Sequence, residues 1–268
     1  MNSMDRAGDG VFTTLPWDGG NRLCAVDLHL DRLRRHADVL GILWPDDIAL
    51  LLATAFDAVD QTVVEQGDSD DCCRPPGLLR IELHQDGSIH LEARSNEHNL
   101  ALGEVDAITL SAPEEGLSTL GVKRLDWSLY REAGETARDH GADAALLVRG
   151  RVIIDGDRAT PMLLLADGTA WVCSAEHGAV DSVTLEMVCG AMLRTGIPFN
   201  SGMLTVKMFT EAEEGVLVGS GMGISALSTV DGRVIGSGSR RLHRQLSGIL
   251  SERMEESWMT FEEVVNNH

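Results

Sequence analysis

Lysine is the rarest basic side chain in this sequence. Lysine and arginine together number 22 in 268 residues, and only Lys123 and Lys207 are lysines. A lysine amine, unlike a guanidinium, can lose its proton and form a Schiff base with an aldehyde. Lys207 lies in the polar stretch TVKMFTEAEE, which favours a surface position. Lys123, in GVKRLDWSLY, is therefore the candidate for covalent chemistry.

An amine that forms a Schiff base needs an aldehyde partner, and pyridoxal 5'-phosphate (PLP) is the common aldehyde cofactor. Its phosphate needs an anion-binding site, and its pyridine nitrogen needs a carboxylate partner. The helix start DSVTLEMV offers backbone amides at residues 182–184, and the small residues of VGSGMG, 218–223, let the backbone approach an anion closely. Asp155, at the end of VIID, is the candidate carboxylate.

The composition narrows the class of partner. The formal net charge is -20, from 42 acidic and 22 basic side chains, so the surface repels phosphate backbones and we expect no nucleic-acid partner. No apolar run approaches the roughly 20 residues that span a bilayer, so we expect no membrane partner. MNSMDRAGDG lacks the apolar centre of a secretory signal, and the five cysteines show no disulfide or zinc spacing. We expect a reduced, cytoplasmic location.

In the first part of the chain the hydrophobic pattern predicts a small α+β domain, at residues 1–111. VFTTLPW and RLCAVDL flank the turn DGGN, which predicts a hairpin. DLHLDRLRRHADVLGI and PDDIALLLATAFDAVDQTVVEQG predict two helices, the first ending at Gly41. LLRIELHQDGSIHLEAR predicts a second hairpin, and VDAITL a further strand. The polar, glycine-containing SAPEEGLSTLGV predicts an interdomain linker, at 112–121.

The remaining residues, 122–268, predict a larger domain. LDWSLYREAGETARDHG has helical periodicity, AALLV and RVIID predict paired strands, and MLLLADGTAWVCS predicts a hairpin. SVTLEMVCGAMLRTG predicts a helix with Ser182 as N-cap and Gly196 just past its end. EGVLVGSGMGISALSTVDGRVIG predicts more strands, and the tail from Arg240 predicts helix.

The order of these segments resembles the class IV aminotransferases, the fold-type IV PLP enzymes that include branched-chain and D-amino-acid aminotransferases and aminodeoxychorismate lyases. The likeness runs from about Gly8 to Gly236. GDGVFTTL resembles the family strand GDGvFETl, LHLDRLRRHADVLGI the helix hlxRLxxsaxxLGi, and RVIIDGDRATPMLLLADG the segment v.EgtssNiFlv.dG. The resemblance implies an α+β fold with a small N-terminal α/β domain and a larger C-terminal domain with a β-barrel-like sheet and flanking helices.

The resemblance also implies roles for individual residues. Lys123 matches the family lysine that forms the Schiff base, and Arg32 matches an arginine that binds the cofactor phosphate. Asp155 stands where a family glutamate pairs with the pyridine nitrogen, and Arg80 matches a strand arginine that contacts a substrate carboxylate in some members of the family. The rest of the phosphate site would consist of Val183, Thr184, Gly219 and Ser220.

Several positions depart from the family pattern. Asp155 is one methylene shorter than the family glutamate, so it must lie nearer the ring or act through water. Thr13 replaces a pocket acid, Thr160 an asparagine and Leu185 an arginine. The segment before the GDG motif is short, so one wall of the small domain would be open or covered by a partner subunit.

Three functions remain open. A lyase of the aminodeoxychorismate type would release pyruvate and leave 4-aminobenzoate. The segments GDGVF and VKRLDW favour this function. An aminotransferase acting on branched-chain or D-amino acids would use Lys123 for a 1,3-proton transfer and would need a 2-oxo-acid acceptor. A cofactor-free or non-enzymatic relative is the third. The resemblance further implies a small amino-acid-like substrate and a homodimer.

Overall fold

The computed structural model describes residues 10–64, 75–101, 103–113 and 121–267. The strands of this part of the chain are β1 Gly10–Trp17, β2 Arg22–Cys24, β3 Gly77–His84, β4 Ile89–Ser95, β5 Val105–Ser111, β6 Ala144–Arg149, β7 Val152–Gly156, β8 Thr160–Leu165, β9 Ala170–Cys173, β10 Phe199–Gly202, β11 Ala212–Gly219, β12 Gly223–Val230, β13 Arg233–Val234 and β14 Trp258–Thr260. The helices are α1 Val26–Leu40, α2 Ile48–Phe56, α3 Glu97–Ala101, α4 Ser128–Asp139, α5 Val183–Met192, α6 Val206–Glu211, α7 Arg241–Ser257 and α8 Phe261–Asn267.

The chain divides into two compact units. The first comprises Met1–Leu100, Val122–Trp127 and Met254–His268, and the second comprises Ala101–Gly121 and Ser128–Arg253. The predicted boundaries, with a linker at 112–121, stay a prediction, and residues 114–120 of that linker lie outside the described residues. The units follow contacts rather than chain order, since the segment that contains Lys123 returns to the first unit.

A five-stranded sheet and helix α1 form the core of the first unit. The strand order is β14-β2-β1-β3-β4, and every pairing is antiparallel, as both predicted hairpins require. Alternate residues of β1, among them Val11 and Leu15, are fully buried with Leu33 of α1. Gly41 ends α1 in the left-handed conformation, φ 67°, as predicted, because glycine has no Cβ to clash there.

The second unit contains a nine-stranded sheet in the order β10-β9-β8-β11-β12-β5-β6-β7, with β13 paired to β12. β5 pairs in parallel with both β12 and β6, and β10 pairs in parallel with β9. The sheet curls into a half-barrel, so that β7 at one end approaches β8. Helices and a barrel-like sheet in one chain confirm the predicted α+β fold class.

Two elements differ from their predicted form. Strand β5 was expected in the small domain but lies within the second sheet. An alternating hydrophobic pattern indicates a strand but does not identify the strands that pair with it. Parallel partners are especially hard to identify, because a long crossover separates them along the chain. Helix α2 ends at Phe56, earlier than its apolar pattern predicts. Downstream, the Asp60 carboxylate accepts a hydrogen bond from the Thr62 amide at 3.0 Å, a local bond that competes with continued helix.

The C-terminal segment is mostly helical, as predicted, and its long helix α7 is capped from a distance. The Glu214 carboxylate is buried and accepts hydrogen bonds from the amides of Leu242 and His243 at 2.9 and 2.8 Å. A negative group is favourable at this end of a helix because the first-turn amides have no acceptor within it. No helix in the described residues has both the length and the apolar character needed to cross a membrane.

Candidate active site

Lys123 lies on a short segment that is hydrogen-bonded along the edge of β1. The Phe12 amide donates to the Lys123 carbonyl at 2.9 Å, and the Leu125 amide donates to the Gly10 carbonyl at 2.9 Å. The Lys123 amide in turn donates to Nδ1 of His36, on α1, at 3.2 Å. Both polar backbone groups of Lys123 are therefore fixed, one by the sheet and one by the helix.

The amine of Lys123 lies against two aromatic rings. Its Nζ is 4.5 Å from the ring centre of Trp127 and 4.8 Å from that of Phe12. The two rings meet edge to face, with centres 5.2 Å apart and planes at 84°. An amine in this position is partly shielded from water by ring faces, which attract its charged form. It is not the fully solvated lysine of an exposed linker.

Arg80 contacts the same ring from β3. Its Cζ is 3.7 Å from the centre of the Phe12 ring, and its Nε donates to Oε1 of Glu82 at 2.5 Å. Burial lowers the pKa of Arg80, while the neighbouring Glu82 charge opposes that shift. The predicted substrate contact and the candidate nucleophile thus share one aromatic neighbour, and the arginine already holds a carboxylate.

Arg32 is buried on α1 within a polar network. Its Nη2 donates to Thr13 Oγ1 at 2.5 Å, and Thr13 Oγ1 lies 2.7 Å from Nδ1 of His29. A guanidinium only donates, so the Thr13 hydroxyl accepts from Arg32 and gives its own hydrogen to His29. Burial, and then the charges of Arg32 and Lys123, hold the pKa of His29 well below its usual value. This ring is therefore neutral.

Asp155 lies near the end of β7, buried within the second unit. Its Oδ1 accepts a hydrogen bond from the Gly156 amide at 2.9 Å, and its Oδ2 accepts one from the Val180 amide at 3.0 Å. Each carboxylate oxygen can accept a second hydrogen bond. A Cβ at position 156 would come within 2.3 Å of the Ala159 carbonyl oxygen, so glycine is required directly after Asp155.

Tyr130, the sole tyrosine, lies close enough to Asp155 for the carboxylate charge to act on its hydroxyl group. Burial raises the pKa of Tyr130 far above its usual value, and the Asp155 charge raises it further. Burial likewise raises the pKa of Cys173 to about 11, with a smaller contribution from Asp155. The sequence identifies neither neighbour of Asp155; it predicts only that the segment LDWSLYREAGETARDHG, which contains Tyr130, is helical.

Helix α5 begins where the sequence predicts an anion site. The Ser182 hydroxyl accepts a hydrogen bond from the Leu185 amide at 3.3 Å, the bond of an N-cap, as predicted. The amides of Val183 and Thr184 lie in the first turn, where no carbonyl of the helix can reach them. The Thr184 hydroxyl lies 3.4 Å from that of Ser220, so two predicted residues distant in sequence are neighbours.

Gly219 ends β11 immediately before Ser220. A Cβ on Gly219 would lie 3.0 Å from the Arg158 carbonyl oxygen and 3.1 Å from Cβ of Ala159. The small residue therefore lets two backbone segments approach closely. Thr160, which follows them, is buried at the start of β8.

Each compact unit, taken by itself, carries some of the kinds of group that PLP requires. The first unit supplies the Lys123 amine for an aldehyde, together with the Arg32 and Arg80 guanidiniums. The second unit supplies a buried carboxylate for a pyridine nitrogen, and a helix start with two hydroxyls for a phosphate. The sequence did not single out five contacts of these groups: Phe12, Trp127, His36, Glu82 and Val180. Only the rarity of aromatic residues, 4% of the chain, could have drawn notice to the first two.

Comparison with known proteins identifies the fold and the family. No curated protein matches the chain. Among solved structures it is similar to a hypothetical aminotransferase from Mycobacterium tuberculosis in its PLP-bound form, at 19% identity and TM-score 0.72 over 96% of this chain and 94% of that one. A branched-chain aminotransferase from Thermoproteus uzoniensis, with norvaline, gives 19% identity and TM-score 0.75 over 95% and 91%. A Legionella pneumophila protein, provisionally named a 4-amino-4-deoxychorismate lyase, gives 17% and 0.74 over 94% and 95%.

These likenesses show a common fold. The family model described as Amino-transferase class IV matches residues 10–230, most of the chain, and that family uses PLP. The protein therefore belongs to the class IV aminotransferase family and is a PLP-dependent enzyme.

Proposed function

We propose that this protein is a lyase of the aminodeoxychorismate type, which converts 4-amino-4-deoxychorismate into 4-aminobenzoate and pyruvate. The observation that carries the proposal is the surroundings of the Lys123 amine. Two aromatic rings, Phe12 and Trp127, contact it, and the Arg80 guanidinium lies on one of them. Ring faces beside a cation suit a cyclic substrate that bears a carboxylate. The Legionella relative has a name that agrees with this chemistry.

The chain's own groups would hold the cofactor. Lys123 would attach to its aldehyde carbon, and Asp155 would accept the hydrogen of its pyridine nitrogen. The phosphate would be bound by the guanidinium of Arg32 and by the amides and hydroxyls of Val183, Thr184, Gly219 and Ser220. A carboxylate held by two backbone amides is well oriented for such a bond, and helix-start amides are natural phosphate donors.

PLP, when bound, supplies an electron sink that stabilises negative charge on the substrate carbon next to the amine. Lys123 would remove the proton from that ring carbon and return a proton to the departing enolpyruvyl group, which leaves as pyruvate. The ring becomes aromatic as its carbon–oxygen bond breaks, so atoms and electrons balance without another reactant. The apolar faces of Phe12 and Trp127 would limit the access of water to the amine.

An aminotransferase acting on branched-chain or D-amino acids is the second candidate, favoured by Arg80, a cation suited to an α-carboxylate. Lys123 would then move a proton between two carbons, and a 2-oxo acid would be required as acceptor. The third possibility, a cofactor-free relative, is not proposed, because the family is PLP-dependent.

The two candidates are separated by one assay on the purified, PLP-loaded protein. The lyase releases pyruvate from 4-amino-4-deoxychorismate with no added oxo acid. The aminotransferase produces no pyruvate in that assay and transfers an amino group from leucine or D-alanine only when 2-oxoglutarate or pyruvate is supplied. Amino transfer without lyase activity would exclude the proposed function and leave the family assignment intact.

We further propose a homodimer in the cytoplasm. The odd number and scattered spacing of the five cysteines support a reducing compartment. The dimer is supported only by the family resemblance. Sedimentation equilibrium of the purified protein tests it, since a mass of one chain, 28.9 kDa, would contradict it.

A further inference from the structure

We infer that Glu82 is a specificity-determining residue, which sets how strongly Arg80 binds a substrate carboxylate. The inference rests on the proposed function, because it treats Arg80 as a substrate contact beside Lys123. It goes beyond that function by assigning a role to a carboxylate of the chain itself.

Cross-strand pairing places the three residues concerned on one face of the first sheet. Phe12 pairs with Glu82 and Thr14 pairs with Arg80, so Phe12, Arg80 and Glu82 project to the same side. Their contacts agree, since the Arg80 guanidinium lies over the Phe12 ring at 3.7 Å. The Lys123 amine contacts that ring as well, at 4.8 Å. A carboxylate that binds Arg80 would therefore lie near the nucleophile.

Glu82 already occupies one edge of the guanidinium. Its Oε1 accepts from Arg80 Nε at 2.5 Å, and this is the only hydrogen bond of the Arg80 side chain in the described part of the chain. Its Oε2 lies 3.4 Å from Nε2 of His84 and 3.8 Å from Nδ1 of His90. The two terminal nitrogens of Arg80 make no hydrogen bond to another described residue, so they could donate to a second carboxylate, whose charge Glu82 would repel.

A second Arg–Glu pair on the neighbouring strand shows what is special about the first. Arg94 and Glu92, on β4, also stand two residues apart, and their side chains are in contact at 2.6 Å. That pair is 44% and 45% exposed, whereas the Arg80 and Glu82 side chains are 11% and 17% exposed. Water screens the exposed pair more strongly, so the Glu82 charge should affect the binding of another carboxylate to Arg80 more than the charge of Glu92, which is paired with Arg80 across the strands.

The inference is tested by binding benzoate and benzamide, which share a ring and differ in charge, to the PLP-loaded protein in a calorimeter. In Glu82→Gln the amide oxygen still accepts from Nε but carries no charge. We expect benzoate to bind about tenfold more tightly than to wild type, with benzamide unchanged. Arg80→Gln should bind the two ligands equally. Glu211→Gln, which neutralises an exposed carboxylate beside Lys207 on α6, is the control and should resemble wild type.

Tighter benzoate binding by Glu82→Gln, absent from Glu211→Gln, supports the inference. Unchanged or weaker binding by Glu82→Gln overturns it, and so does a preference for benzoate that survives in Arg80→Gln. No benzoate binding by either wild type or Glu82→Gln would also overturn it. These titrations measure binding and need no catalysis, so they separate a failure of this inference from a failure of the lyase assignment.

Discussion

The two lysines of this protein have opposite surroundings. Lys207 is 80% exposed on helix α6, and its Nζ lies 3.2 Å from Glu211, one helical turn away. Lys123 has its carbonyl and amide bonded to Phe12 and His36, and its amine contacts two aromatic rings. Both residues are equally rare in the sequence, so rarity alone does not identify a nucleophile.

The difference lies in positioning. An exposed pair one helical turn apart contributes only about 0.3–0.5 kcal/mol, and its side chains sample many rotamers. A lysine whose backbone is fixed on two sides pays less entropy to present its amine at one place. The amine of Lys123 should therefore react with an aldehyde more readily than the amine of Lys207.

The largest effect is expected in covalent labelling. When the protein is incubated with PLP and reduced with borohydride, mass spectrometry should find the cofactor on the peptide that contains Lys123. Lys207→Ala should retain full labelling and the visible absorbance band of bound PLP. Lys123→Ala should lose both, because the other lysine, Lys207, is exposed and not fixed in this way. Equal labelling of the two lysines would contradict the comparison.

The second effect concerns His36, which we regard as a positioning residue. His36→Leu removes the acceptor of the Lys123 amide and leaves that donor unsatisfied, at a cost of about 1–3 kcal/mol. We expect the ratio of Lys123 to Lys207 labelling by pyridoxal and borohydride to fall about tenfold. Lys207 serves as an internal reference within the same molecule.

His36→Asn distinguishes positioning from general destabilisation. The asparagine carbonyl can accept from the Lys123 amide much as Nδ1 does, so it should restore most of the labelling ratio. If both variants reduce the ratio equally, His36 does not position Lys123 through this hydrogen bond.

A smaller effect is expected on stability. Phe12 contacts Lys123, Arg80 and Trp127, so Phe12→Leu should lower the free energy of unfolding by about 1–3 kcal/mol. Glu211→Gln, which removes the ion pair of Lys207, should change the free energy of unfolding by less than about 0.5 kcal/mol. Urea unfolding followed by circular dichroism measures both. A similar loss in the two variants would mean that the rings contribute little.

The smallest effect is a pH dependence. The pKa of buried His29 lies below the ordinary value of 6.5, so below that pH the unfolded chain binds a proton that the folded chain does not. Stability should therefore fall as the pH drops below 6.5, by at most about 1.4 kcal/mol per pH unit from this group. His29→Asn should make the fall shallower, whereas His140→Asn, at an exposed histidine, should not.

The Lys123 charge contributes to that low pKa, after burial and Arg32. Lys123→Met should therefore reduce the pH dependence slightly, and Lys207→Met should leave it unchanged. Urea titrations of the variants at pH 7 and at about 5.5 provide the comparison. A steeper dependence in Lys123→Met would contradict the assignment of charges around His29.

Local features of this fold could be predicted from the sequence. The end of helix α1 at Gly41 and the N-cap of helix α5 at Ser182 could both be predicted, because capping depends on neighbours within a few residues. The hairpins of the first sheet follow from short turns for the same reason. The proximity of Thr184 to Ser220 was expected only because the order of motifs resembles a known family.

Features that depend on distant partners could not be predicted. The sheet that β5 joins is decided by parallel neighbours far along the chain. The burial of Glu82 against Arg80, and the closeness of Tyr130 to Asp155, likewise depend on side chains that meet only after folding. The sequence does not show whether a charged group or a hydroxyl group will be buried or exposed to water after folding.

Strand β14 has a consequence for how the protein is made. Residues 258–260 form an outer strand of the sheet that begins at residue 10, pairing Trp258 with Cys24. At roughly 5–20 residues per second, a ribosome needs on the order of ten seconds or more to add the intervening residues. Until then the edge of β2 lacks its partner and can pair with other nascent chains. Overproduction of chains ending before residue 254 should thus yield inclusion bodies.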